Sequence, residues 1–547
     1  MRFRLILLML MVASGCASAA PAVPTPAPAH APAPAPVHGL LTRAERSGWL
    51  ETSRYDDVVA FIDSVDASPR LHATTFGYSM EGRALPLVVA GASSPEPANV
   101  RSTGRTRVLV FANIHAGEVE GKEATQILLR ELAAGEHRAW TDSLVLLIAP
   151  IYNADGNERI RLDHRSDQHG PFAGVGTREN AQGLDLNRDH TKLESPEARS
   201  LVRLMTEYDP HVVVDLHTTN GTHHAYHLTY SPPLHPATDD TIVGILRERW
   251  LPDVTRAMEA RGWLTWYYGN LPIREWGMTG ERGWYTFDYR ARFNNSYAGL
   301  RNRFGILSEA YSYASFEDRV QATRIFVTAV LDWAAANATG IRSATEAADR
   351  ADLRGTRLPL RAEIASSGDT IFLLGEVEAR VNPLSGERYL ARLDVVRGER
   401  MPNYDRFAAT ETERVPSRYV IPDSLTSVLD LLRAHGIRVR QWQNPDPTIA
   451  VDYAIQRFRI DSTHIAERPF QGHREREVFG AWRTGVGGFE EDDWIVDMNQ
   501  PLARVAFALL EPRAPDGVVN WGFLDDAFKR DPTRYPIRRF VPGARLD

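Results

Sequence analysis

The chain has 547 residues, 43% of them hydrophobic and 24% charged, which is the composition of a globular protein with material for two or three domains and a sizeable core. A formal net charge of -7 offers no basic face of the kind nucleic acid needs, so no nucleic-acid partner is expected, although the average leaves the lining of a cleft open. The single cysteine, Cys16, excludes an intramolecular disulfide.

The elements follow in chain order. Arg2 and Arg4 precede an apolar run over residues 5–12 and then small residues, the pattern of an export signal; the run is far short of the roughly 20 residues that span a bilayer. Ala13-Ser14-Gly15-Cys16 resembles a bacterial lipobox, so residues 1–19 are expected to be a signal peptide with Cys16 lipidated and the chain anchored in the cell envelope, on the periplasmic side or in the outer membrane. The alternative is a plain secretory signal cut after a nearby alanine, which would leave the protein periplasmic or secreted. Residues 20–39 are rich in Ala and Pro and read as a semi-rigid spacer.

Residues 54–64 have apolar side chains at helical spacing, and 74–78 and 85–89 read as short strands joined by the Met80-Glu81-Gly82-Arg83 turn. Apolar runs predict strands over 108–113, 144–152, 212–216 and 304–307; helical periodicity predicts helices over 121–133, 196–208, 242–260 and 318–336. This alternation argues for an α/β fold with a sheet flanked by helices, where ligand-binding groups gather at strand ends. After about residue 345 the pattern changes to short strands, such as 370–374 and 389–395, with a helix over 425–435. The expected division is therefore an α/β domain over 40–345 and a second, β-rich accessory region over 346–547.

The chemistry begins at His115-Ala116-Gly117-Glu118, directly after the strand VLVFAN. A histidine and a glutamate in a strand-to-helix loop can hold one metal ion, and a catalytic zinc needs three protein ligands. With 17 histidines, about one such spacing is expected by chance, and His464-Ile465-Ala466-Glu467 repeats it. The surroundings separate the two. His217, just past the strand VVVDL, offers a third ligand to the first pair, whereas His473 lies too near the second to come from a separate strand. Between them, Arg178 and Arg188 stand in a glycine-bounded loop and can bind two anions, a carboxylate and a developing oxyanion.

HAGE, NADG, TRENAQGLDLNRD, DLHTTNG and ILSEAYSY occur in the order found in the M14 zinc carboxypeptidases, and the likeness extends over about residues 50–335, including the entry strands GYSMEGRALPLVV. The resemblance implies the zinc carboxypeptidase fold, one Zn2+ per chain, peptide substrates and hydrolysis of C-terminal peptide bonds. It implies His115, Glu118 and His217 as zinc ligands and Glu309 as general base and acid. It further implies Arg178 as the carbonyl-polarising arginine, Asn187 and Arg188 as the grip on the substrate's terminal carboxylate, and Asp185 as the carboxylate that orients His115. Gly117 stands where digestive members carry an arginine that binds more distant substrate residues. The family's mobile tyrosine has three candidates, Tyr285, Tyr289 and Tyr297. Arg290, Arg292, Asn294 and Asn295 suggest an acidic or polar C-terminal side chain, unless these arginines pair with neighbours. Two other readings stay open: a zinc amidohydrolase acting on peptidoglycan stem peptides or small N-acyl amino acids, and a catalytically inactive peptide-binding module.

Overall fold

The computed structural model of the chain describes residues 39–273, 280–442, 455–485 and 492–541; the export signal, Cys16 and spacer residues 20–38 lie outside the described residues. The apolar runs form β1 (Leu71–Tyr78), β2 (Ala84–Ala90), β3 (Thr106–Ala112), β4 (Leu144–Ala149), β5 (Val212–Thr219), β6 (Leu228–Ser231) and β7 (Thr265–Tyr267). β8 (Trp284–Tyr285) and β9 (Phe304–Tyr311) follow. Among the described residues, eight of these strands make one mixed sheet in the order β1-β2-β4-β3-β5-β9-β6-β7. Its centre, β4-β3-β5-β9, is parallel, and antiparallel pairs flank it on both sides. β3, β4 and β5 are buried along their whole lengths, as unbroken Val/Leu/Ile runs require when both faces of a sheet are covered. Helices Tyr55–Asp66, Glu120–Ala134 and Phe316–Ala336 pack side by side, and Pro196–Glu207, capped by the Ser195 hydroxyl, packs against β1.

Two expectations are modified. The helix read over 242–260 is Asp240–Ile245 and Leu251–Glu259 joined by a π turn at Leu246–Trp250. Pro252 follows that turn and has no N–H with which to continue the ordinary ladder. The change of pattern at residue 345 falls inside a helix, Ala338–Arg350, whose alanine-rich sequence carries the chain without a break into the β-rich part.

That part contains β10 (Arg357–Ala365), β11 (Asp369–Leu374), β12 (Val377–Val381), β13 (Arg388–Arg392), β14 (Arg397–Tyr404) and β15 (Arg406–Arg414). β16 (Arg418–Ile421), β17 (Arg440–Gln441), β18 (Ile455–Ile465), β19 (Arg476–Gly485), β20 (Trp494–Asp497) and β21 (Arg534–Phe540) follow, with helix Thr426–Ala434 between β16 and β17. The two parts are joined in three ways. β8 pairs in parallel with β14. A single apolar cluster contains Val110, Leu147 and Val214 of the first sheet together with Tyr419, Leu432, Phe507 and Ile537. Buried polar bonds also cross, among them Tyr297 Oη to His435 Nδ1 at 2.6 Å and Trp521 Nε1 donating to Thr191 Oγ1 at 3.1 Å.

Candidate metal centre and cleft

The parallel strands β3, β5 and β9 end on the same side, and the expected site residues collect there. β3 stops at Ala112, and the following loop turns tightly, Glu118 N–H donating to the His115 carbonyl at 2.9 Å, before helix Glu120–Ala134 begins. His217 lies near the end of β5, and Glu309 is its register partner on β9. His115, Glu118 and His217 are all buried, and one ligand atom from each lies within 4.8 Å of the others. His115 Nδ1 is 3.0 Å from Glu118 Oε1, and His217 Nδ1 is 2.8 Å from Glu118 Oε2. The far nitrogens also face carboxylates: His115 Nε2 is 3.0 Å from Asp185 Oδ1, and His217 Nε2 is 2.9 Å from Asp215 Oδ2.

This donor set fits a zinc ion. A carboxylate only accepts, so Asp185 and Asp215 favour the proton on each Nε2 and leave each Nδ1 lone pair directed at Glu118. Two imidazole nitrogens and a carboxylate converging in a buried place, each braced from behind, are the ligand types and number of a catalytic zinc. Such a cluster requires positive charge at its centre, and in the protein's own charges that requirement shows on Glu118. Burial alone would raise its pKa, but Arg165, His115 and His217 hold it well below the usual carboxylate range. Glu309 responds oppositely: burial, reinforced by the charge of Glu118 and only partly offset by His217, pushes it up to about 8.

Asp185 is the hub of the neighbouring loop. Its Oδ1 also accepts from Asn187 N–H at 2.9 Å, and its Oδ2 accepts from Arg178 Nε at 2.9 Å and Nη2 at 2.8 Å. Burial opposes its charge, yet His115, Arg188 and Arg178 hold it well below its ordinary value. Arg178 is thereby aimed at the cluster, with Nη1 3.3 Å from His115 Nδ1 and 3.8 Å from Glu118 Oε1. Asn187 accepts from Asn294 N–H at 3.0 Å, and its Nδ2 is 3.5 Å from His217 Nε2. The Arg188 guanidinium lies 4.2 Å over the Phe293 ring and 3.8 Å from Asp185.

Several features went unread in the sequence. Asp215 precedes His217 by two residues on a strand, and period-two alternation puts both on one face, a signal present in the string DLH. Arg165 ion-pairs with Glu118 and lies flat across Gly117, where a Cβ would meet its Cδ at 2.9 Å and its Nε at 3.0 Å. The glycine at 117 thus makes room for an arginine delivered from a distant loop. Tyr268 also went unnamed: burial, reinforced by the charge of Glu309, raises its phenol above the ordinary value, and its hydroxyl accepts from Asn270 Nδ2 at 3.2 Å. The three tyrosines named from sequence are engaged elsewhere. Tyr285 stacks on Tyr404, Tyr289 Oη accepts from Ala362 N–H, and Tyr297 is fully buried against His435.

The suggested anion pocket is not what Arg290 and Arg292 form. Arg290 pairs with Asp288, and Arg292 pairs with Asp516 and Glu475, so both charges are already neutralised by neighbours. Asn295 donates to the Pro232 carbonyl at 2.8 Å. His464 sits on the exposed end of β18 opposite Glu477, and it belongs to no potential metal cluster among the described residues.

His115, Glu118 and His217 thus form a buried group, backed by carboxylates and flanked by arginines at the carboxyl ends of parallel strands, that could hold a metal ion on an α/β sheet. In sequence, residues 58–248 match the family model for the zinc carboxypeptidases, Peptidase_M14. His115, Glu118, Arg178, Asp185, Asn187, Arg188 and His217 fall inside the match, and Glu309 falls outside it. The chain is 30% identical over 143 residues to Carboxypeptidase 2 of Trichophyton rubrum, a stretch that is 25% of this chain and 23% of that protein. It is also 30% identical over 159 residues to Carboxypeptidase D of Homo sapiens, covering 23% of this chain and 12% of that one. The chain therefore spans less than a quarter of the length of these relatives. Among solved structures, a metallo-carboxypeptidase from Burkholderia cenocepacia aligns with 16% identity and a TM-score of 0.38, covering 51% of this chain and 69% of that one.

Proposed function

We propose that the chain is a zinc-dependent carboxypeptidase that releases residues from the free C-terminal end of peptides. The observation that carries this reading is the convergence of His115 Nδ1, His217 Nδ1 and the Glu118 carboxylate beside Glu309, the register partner of His217. When bound, one zinc ion supplies a Lewis acid and a water of lowered pKa. The protein's own groups do the rest. Glu309 is placed to take a proton from a water in the cleft and to deliver it to the nitrogen of the departing amine. Arg178, held by Asp185, offers N–H donors where negative charge develops on the scissile carbonyl oxygen. Asn187, whose N–H donates to Asp185, and the adjacent Arg188 are the donors for the substrate's terminal carboxylate. The experiment is digestion of a mixed peptide pool by the zinc-loaded protein, with and without chelator, read by mass spectrometry. Ladders shortened from the C-terminus, abolished by chelator, support the reading; internal cleavage or chelator-insensitive products contradict it.

A further inference from the structure

The turn at residues 470–473 of the β-rich part reaches the loop that carries Asp185. Phe470 N–H donates to the His473 carbonyl at 2.7 Å, and His473 N–H donates to the Phe470 carbonyl at 3.0 Å, closing a two-residue hairpin. Its central residues, Gln471 (φ 50°) and Gly472 (φ 83°), both lie in the left-handed region, which makes it a type I′ turn. Such turns favour Asn, Asp or Gly at the first position, and a glutamine there carries the steric cost of a Cβ at positive φ. A costly conformation kept at a particular point calls for a reason in its side chain.

The side chain has one. Gln471 Oε1 accepts the backbone N–H of Asp185 at 2.9 Å. Asp185 is the residue whose carboxylate holds His115, Arg178 and the Asn187 backbone. The hairpin is pinned on both sides of this contact. Arg292 lies against the rings of both Phe470 and Trp521, 4.8 Å and 4.7 Å from their centroids. His473 Nε2 is 2.6 Å from Glu194 Oε1.

We propose that Gln471 is a positioning residue of the cleft: delivered by the hairpin tip, it fixes the 185–188 turn and so keeps Arg178 and Arg188 aimed at the substrate. The β-rich part is then a wall of the active site and not an appended module. This rests on the carboxypeptidase reading for its kinetic consequence, but the amide of Asp185 reports on it independently.

The test uses the full-length, zinc-loaded protein and the variants Gln471→Gly and Gln471→Asn. Both residues suit a left-handed turn position, and neither reaches Asp185, so the thermal midpoint should hold or rise while the positioning contact is lost. Hydrogen exchange at the Asp185 amide should quicken, zinc content should stay full, and kcat/KM on a peptide with a free C-terminus should fall roughly three- to tenfold, the worth of one hydrogen bond. An unchanged amide exchange together with unchanged kinetics would make Gln471 a turn residue only and overturn the inference. A collapsed thermal midpoint in both variants would also overturn it, by making the residue a determinant of folding. If the wild type cleaves no peptide, the carboxypeptidase reading fails, and the exchange at Asp185 still decides the role of Gln471.

Discussion

Replacing Arg292 by Met probes how firmly the two parts of the chain are joined. Arg292 is almost fully buried, its Nε donating to Asp516 Oδ1 at 2.7 Å and its backbone N–H to Asp516 Oδ2 at 2.8 Å, with Glu475 on the other side. Methionine keeps much of the aliphatic volume against Phe470 and Trp521 but leaves the Asp516 carboxylate buried without its cation. Breaking a buried pair from one side costs about 3–5 kcal/mol, and loss of a cation held against two rings adds about 1 kcal/mol or more. The assay is equilibrium unfolding in urea followed by tryptophan fluorescence. The continuous core predicts one cooperative transition in both proteins, shifted to lower urea in the variant. The double variant Arg292→Met/Asp516→Asn should be markedly less destabilised than the sum of the two single changes. A cost under about 1 kcal/mol, additive single effects, or a transition that splits with only its second part shifted would refute the reasoning.

Other predictions concern the metal, acid stability and location. His217→Ala should lose most bound zinc by elemental analysis while His464→Ala keeps it; full zinc in the first variant would sink the ligand assignment. His211, His224 and His435 are buried as neutral rings, burial pushing each down to about 3. A folded value below the unfolded one gives stability that is present above pH about 6.5 and is lost as pH falls toward about 3. Each ring should therefore cost about 2 kcal/mol between roughly pH 7 and pH 5. His435→Gln should flatten its share of that slope; an unfolding midpoint that does not move over this range contradicts the prediction. Cys16→Ser should move the protein from the membrane fraction to the soluble one if Cys16 carries lipid, and a wild type already soluble would exclude the anchor.

The sequence was readable where one principle acts alone. Unbroken Val/Leu runs gave the central strands, and the order of the ligand-bearing motifs gave His115, Glu118 and His217, which the fold brings together from β5 and the loop after β3. Glu309 was legible because its strand carries a recognisable string, and the parallel pairing of β5 with β9 sets it beside His217. What escaped depends on contacts between distant segments. Arg165 reaches Glu118 from a loop with no periodicity, and Gln471 meets Asp185 from 286 residues away. Arg292 read as part of a specificity pocket because its partners, Glu475 and Asp516, belong to the part that composition alone sets aside, whereas Arg290 pairs with Asp288 two residues away. The boundary near residue 345 marked a real change in pattern, but helix Ala338–Arg350 and the shared core carry the structure across it.

The most direct test of the central claim uses two peptides of one sequence, one with a free C-terminal carboxylate and one amidated, offered to the zinc-loaded wild type, Glu309→Gln and Arg188→Ala. Arg188 and Asn187 as donors for the terminal carboxylate predict that the wild type cleaves the free peptide and barely touches the amide. Glu309→Gln should keep its zinc and lose about 10²–10⁴ in rate on the free peptide, and Arg188→Ala should lose most on the free peptide while changing little on the amide. Equal cleavage of both peptides by the wild type and by Arg188→Ala would contradict the account and make the protein an endopeptidase or another amidohydrolase on the same metal site.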